Sequence, residues 1–119
     1  MKKAKIYQYT KCSTCREAVK SLKRLGYDLE SVEVFEHPPA AEELAELARM
    51  SGLAVDKLFN VAGEVYRELK LKDRMKHMSD EEKLLLLASN GRLIKRPIVT
   101  DGKQATVGYK EHQYLQTWS

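Results

Sequence analysis

Sulfur is scarce in this chain of 119 residues: there are two cysteines, Cys12 and Cys15, and they stand three positions apart. With no third or fourth cysteine, and with His37, His77 and His112 scattered singly, the four ligands of a zinc site cannot be assembled from ligand pairs at metal-site spacing. Long apolar runs are missing too. The longest covers the five residues Leu84 to Ala88, far short of the 18 or more that a spanning helix needs. The basic start "MKKAKIYQY" is followed by neither an apolar h-region nor a small-residue cleavage site, so no signal peptide and no membrane association are expected, and the cytoplasm is the expected location. No basic stripe is interleaved with aromatics, so direct nucleic-acid binding has no support. Without repeats, low-complexity tracts or linkers, a single domain over 1–119 is expected, large enough for a core of its own.

What charge there is lies unevenly. Residues 1–25 carry eight Lys or Arg against one acid, Glu17, whereas residues 26–48 carry seven acids and no Lys or Arg. The basic segment either attracts an anionic substrate or an acidic partner, or is simply a solvated helix face.

The order of elements is legible. "AKIYQY" (4–9) predicts a first strand from its β-branched and aromatic content. Ala18, Val19, Leu22 and Leu25 recur at helical spacing after Ser13, and Gly26 is placed to stop that helix. A second strand is predicted at about 29–35, where Val32 and Val34 alternate with Glu33. "HPPAAEELAELARMSG" predicts a Pro-started helix stopped by Gly52, and 53–78 predicts short helical turns. Ser79 and Glu82 form a capping box ahead of "KLLLLAS", with "NG" closing the helix. "RPIVTDGKQATVGY" predicts two short strands joined by Asp101-Gly102, and a last helix is expected near 110–116. The sum is an α/β protein with a thioredoxin-like fold. A mixed four-stranded sheet carries a helical insertion, about 40–90, between the second and third strands.

Four readings of Cys12 and Cys15 compete: a redox pair, half a metal site, a structural staple, or two small core residues. In a reducing compartment, a bridge closing so short a loop would remove little unfolded-state entropy, which weakens the staple. Cys12 falls where strand becomes helix, beside free backbone N–H groups and the positive end of the helix dipole. Lys11 and Arg16 add charge nearby, and Cys15 lies about one turn deeper on the same face. A thiolate is the reactive form, so an exposed Cys12 can attack while a protected Cys15 resolves the adduct. In such a fold a cis proline before the third strand faces the CxxC. Pro97 in "LIKRPIV" holds that place, with Arg96 able to project toward Cys12. The alternative for Arg96 is a surface arginine followed by a trans bond.

"KCSTCR", "PPAAEEL" and "LIKRPIVTDGKQATVGY", in this order along nearly the whole chain, resemble the arsenate reductase (ArsC)/Spx family. The resemblance implies a thioredoxin-like fold with a helical insertion. For the reductase branch it implies that Cys12 attacks arsenate and that glutathione with glutaredoxin completes the reduction. It also implies three arginines that hold the oxyanion. Arg96 matches one, but Asn60 and Gly108 fall where the other two belong. Each such contact is worth a few kcal/mol at most. Losing two costs orders of magnitude in oxyanion affinity, and classical arsenate reduction is not expected to be efficient. For the Spx branch the resemblance implies a CxxC disulfide switch that binds the C-terminal domain of the RNA polymerase α subunit. Cys15 matches that branch, although Spx proteins continue in a basic tail and this sequence stops at "YLQTWS".

The leading expectation is therefore an enzyme, an arsenate reductase-like thiol-disulfide oxidoreductase. Cys12 is its nucleophile, Cys15 resolves, Arg96 stabilises the anion, and Lys11, Arg16 and Pro97 support them. Its substrate would be a small oxyanion or a disulfide, its reductant glutathione/glutaredoxin or thioredoxin, its state a monomer with no bound cofactor or metal. The alternatives are a redox-gated regulator that binds the polymerase α subunit, and an inert descendant of the fold. The three histidines are given no role.

Overall fold

A computed structural model describes residues 2–119. The chain runs β1 (Lys2–Gln8), α1 (Ser13–Arg24), β2 (Tyr27–Glu33), α2 (Ala41–Ser51), α3 (Glu64–Glu68), α4 (Leu71–Arg74), α5 (Asp80–Ser89), β3 (Ile98–Thr100), β4 (Ala105–Val107) and α6 (Glu111–Trp118). Single 3-10 turns at Val55–Leu58, Met75–His77 and Gly91–Leu93 fill the connections. The sheet order is β2-β1-β3-β4, with β1 parallel to β2 and both later pairings antiparallel. This is the mixed sheet of a thioredoxin-like fold, and α1 is the crossover that a parallel β1–β2 pair requires.

Alternation along the strands divides the core in two. Ala4 and Ile6 of β1 and Val99 of β3 face α1 and α6, packing with Ala18, Leu22, Tyr114 and Trp118. Tyr7, Ile98 and Ala105 point the other way, onto Leu44 and Leu47 of α2 and the buried residues of the segment before β3. Register enforces this, because Ile6 lies opposite Val99 and Tyr7 opposite Ile98.

Several local expectations shift. The second strand covers Tyr27–Glu33 rather than 29–35, because its full-length register with β1 begins at Lys2 opposite Tyr27. Val34 is buried but lies past the strand's end. Pro38 and Pro39 precede α2 without starting it, since Ala40 is its N-cap. Asp101-Gly102 is part of a longer turn. The Asp101 carboxylate accepts the backbone N–H of Lys103 and of Gln104, so four residues separate β3 from β4. The capping box forms as expected, with Ser79 and Glu82 exchanging hydrogen bonds of 2.9 and 3.1 Å. Helix α5 ends at Asn90, but not through a left-handed glycine, for Asn90 is extended and its side chain instead accepts from Arg92 N–H at 3.0 Å.

The segment between β2 and β3 is tied to the residues ahead of Pro97 by one small antiparallel bridge, between Phe59 and Ile94. Asn60 N–H donates to Leu93 O at 2.7 Å and Lys95 N–H to Leu58 O at 2.8 Å. The approach to Pro97 is thereby held against the turn that carries Asn60. Gly91 makes the path feasible, because a Cβ there would stand 1.9 Å from the Val34 carbonyl oxygen. Gly91→Ala is accordingly expected to cost about 3 kcal/mol, the upper end for overpacking, measured as a fall in the urea midpoint. Leu85→Ala, at an exposed site, is expected to stay within about 0.5 kcal/mol.

Candidate active site

The start of α1 is built around Cys12. Its backbone is extended, with φ −90° and ψ 118°, and its carbonyl accepts the Arg16 N–H at 3.1 Å, so it is the helix N-cap. The capping acceptor is the sulfur itself: Cys15 N–H donates to Cys12 Sγ at 3.3 Å. The first turn of α1 contains no acid of its own to compete for the positive end of the helix dipole. Cys12 is half-buried, whereas Cys15 is 0% exposed, and both are free thiols.

Across from them lies the segment before β3. The Arg96–Pro97 peptide is cis, Pro97 is buried, and its carbonyl accepts the Gly108 N–H at 2.8 Å. Arg96 is half-buried beside two aromatic rings. Its guanidinium carbon stands 4.8 Å from the Phe35 ring centre and 5.9 Å from that of Tyr9. Those rings are stacked on each other at 4.3 Å. Such a platform fixes the position of a long, flexible cation without neutralising it. Arg96 Nε is buried and has no hydrogen-bond partner. An unpaired buried N–H is costly, so this donor is one that a neighbouring anion would satisfy.

The two thiols are driven apart in acidity. Burial alone would push Cys12 up, but hydrogen bonds from the Cys15 thiol and N–H, together with the Arg96 guanidinium, bring it below the ordinary thiol value. Cys15 is pushed up to about 12, first by burial and then by its hydrogen bond to Cys12 and the charge there. Of the two, Cys12 is the thiol favoured to ionise and Cys15 the one that keeps its proton.

The remaining sequence candidates sit at the edge of this arrangement. Lys11 is exposed, and Arg16 donates through Nη1 to the Thr10 carbonyl at 3.3 Å, bracing the turn. The cation beside the sulfur is Arg96, from 84 positions further along the chain than Cys12 (96 − 12). A cleft of about 350 Å³ opens over Cys12, lined also by Asn60, Lys95, Arg96, Gly108, Tyr109 and Lys110. Gly108 has φ 83°, a backbone that an arginine adopts only under strain. Sequence reasoning missed the Tyr9–Phe35 platform and the two lysines. Only the adjacency of Lys95 to Arg96 carried any hint of them. Among the described residues, no three of His, Cys, Asp and Glu gather as a metal group would require.

A CxxC at a strand-to-helix turn, facing a cis proline, places the chain among the thioredoxin-like thiol proteins. The ArsC family profile matches residues 7–117, and the chain belongs to that family. It is similar to the uncharacterized protein YusI of Bacillus subtilis, at 50% identity over 96% of this chain and 97% of that one. An arsenate reductase from Vibrio cholerae superposes with a TM-score of 0.87 at 33% identity, covering 97% of each chain. The global transcriptional regulator Spx 2 of Oceanobacillus iheyensis is 29% identical over 88% of this chain and 76% of its own.

If Arg96 holds the thiolate, iodoacetamide labelling of Cys12 across pH will follow a pKa below the ~8.5 of a free thiol. Arg96→Ala is expected to raise that midpoint. Below it, each unit of rise lowers the labelling rate by about tenfold, since one unit is one decade of thiolate. The melting temperature reports whether the substitution has instead damaged the fold.

Proposed function

We propose that this protein is an arsenate reductase-like thiol-disulfide oxidoreductase in which Cys12 attacks and Cys15 resolves. The observation that carries the reading is the Cys15 N–H to Cys12 Sγ contact at 3.3 Å, with Arg96 lowering the same thiol and Cys15 enclosed behind it. The Cys12 thiolate attacks one sulfur of a substrate disulfide. A Cys12–substrate bond forms, the substrate's S–S bond breaks, and the departing thiolate takes a proton. Formation of that mixed disulfide removes the Cys12 charge and hydrogen bond that hold the Cys15 proton in place, while the charge of Arg96 remains. Cys15 then ionises more readily and attacks Cys12 Sγ. The second thiolate leaves, and two electrons have passed from the dithiol to the substrate. Glutathione/glutaredoxin or thioredoxin would return those electrons in a reducing cytoplasm. Both electrons of this cycle come from the two cysteines of one chain.

Arsenate fits less well. With Asn60 and Gly108 at two positions where the resemblance implies arginine, Arg96 is the one arginine of that set left to contact the oxyanion. Turnover is expected to be weak with either reductant system, supplied separately. Cys15→Ser is expected to stop the cycle at a stable Cys12 mixed disulfide, visible by intact mass. Wild type instead releases two thiols per chain and loses two hydrogens in forming Cys12–Cys15. If the serine variant also released two thiols, the resolving role would be wrong.

The kinship with Spx 2 favours a second reading, a Cys12–Cys15 switch that governs binding to the polymerase α C-terminal domain. Capture of that domain by only the oxidised or only the reduced chain would establish it, and equal or absent capture would exclude it.

A further inference from the structure

The cleft over Cys12 contains a cation where a side chain is missing. Gly108 is buried, with φ 83°, and the place where its Cβ would stand lies 3.3 Å from Lys95 Cε and 3.9 Å from Lys95 Nζ. The end of the Lys95 side chain thus occupies the room that residue 108 leaves open. Lys95 is held at its backbone by the 2.8 Å bond from its N–H to Leu58 O, and it is the direct neighbour of Arg96. Lys110 lines the same cleft, so three cations line it, and no Asp or Glu among the described residues does.

Charge and size together narrow what fits. At about 350 Å³ the cleft is within the range of roughly 300–1,000 Å³ typical of small-molecule pockets. A tetrahedral oxyanion seated against Arg96 would leave most of that space empty. Val107 and Tyr109 offer apolar wall, Asn60 and Thr14 offer hydrogen bonds, and the lysines offer point charges.

We propose that Lys95 is the specificity-determining residue of this cleft, and that it holds a carboxylate of a low-molecular-weight anionic disulfide while Cys12 attacks the S–S bond. This rests on the oxidoreductase reading and adds to it the class of substrate. Cys12 displaces one thiolate of the disulfide and Cys15 the other. The dithiol supplies both electrons, so a single turnover needs no further reductant.

The test uses two disulfides of opposite character on the fully reduced chain, 5,5′-dithiobis(2-nitrobenzoate), which carries two carboxylates, and uncharged 4,4′-dithiodipyridine. Rates are measured by stopped flow at pH 7 and divided by those of 2-mercaptoethanol with the same reagent. In Lys95→Met the ratio of dicarboxylate rate to uncharged rate is expected to fall about tenfold, the effect of one charge-assisted contact. Lys103→Met, in the exposed β3–β4 turn, removes the same charge from the surface and is expected to leave that ratio within twofold of wild type. If Lys95→Met lowers both rates equally, Lys95 acts through the thiolate or the fold and the proposal is overturned. A ratio that stays put, or falls as far in Lys103→Met, overturns it as well. The absolute rate of wild type with the uncharged reagent tests the underlying reading separately. A value no greater than that of 2-mercaptoethanol would count against an activated Cys12 whatever Lys95 does.

Discussion

A sulfur does at the start of α1 what an oxygen does in most helices. The N-cap of a helix usually offers a hydroxyl or carboxylate to the free N–H groups behind it, and here Cys12 Sγ accepts from Cys15 N–H. That substitution links structure to chemistry. The first turn needs an acceptor, its dipole favours a negative one, and a thiol can become negative at a modest pKa. The same bond places Cys15 behind Cys12, where solvent does not reach it. The two thiols therefore sit in different surroundings while in contact. Their divergent acidities result from that, and so does the order in which they would react.

The second determinant is the small bridge between residues 58–60 and 93–95. Two backbone hydrogen bonds join a turn of the inserted segment to the residues just ahead of Pro97. They bring Asn60, Lys95 and Arg96 to the mouth of one cleft although the first is more than thirty positions from the others. Of the two positions where the resemblance implies arginine, this geometry bears on Gly108. Gly108 takes a left-handed backbone, and the end of Lys95 lies beside it. Position 108 is thus more than an arginine site awaiting restoration, because backbone conformation and neighbouring side chain have both settled around glycine. Family membership is secure, yet the lining of the cleft over Cys12 is this chain's own.

Much of the fold was legible because the signals were local. The Ser79–Glu82 capping box spans one helical turn, and the periodicity of Ala18, Leu22 and Leu25 records the face that α1 turns to the sheet. The errors also have local causes that simple rules rank too low. Asp101-Gly102 suggests a two-residue turn, but the Asp101 carboxylate captures two backbone N–H groups and Thr100 Oγ1 accepts from Gly102 N–H, which stabilises a longer one. Asn90-Gly91 marks the end of α5, but Gly91 is there to let two backbones pass rather than to adopt a left-handed cap. The shift of β2 is different in kind, since its limits come from the partner strand.

The sequence by itself determined the presence of a CxxC at the mouth of the first helix, the succession of elements and the arginine before proline. Each depends on residues close along the chain, where spacing is geometry. Only the tertiary structure decided that Arg96 rests over Tyr9 and Phe35, that Cys15 is enclosed while Cys12 opens onto a cleft, and that Lys95 fills the space beside Gly108. Those relations join segments dozens of residues apart, and packing rather than spacing determines the distances between them.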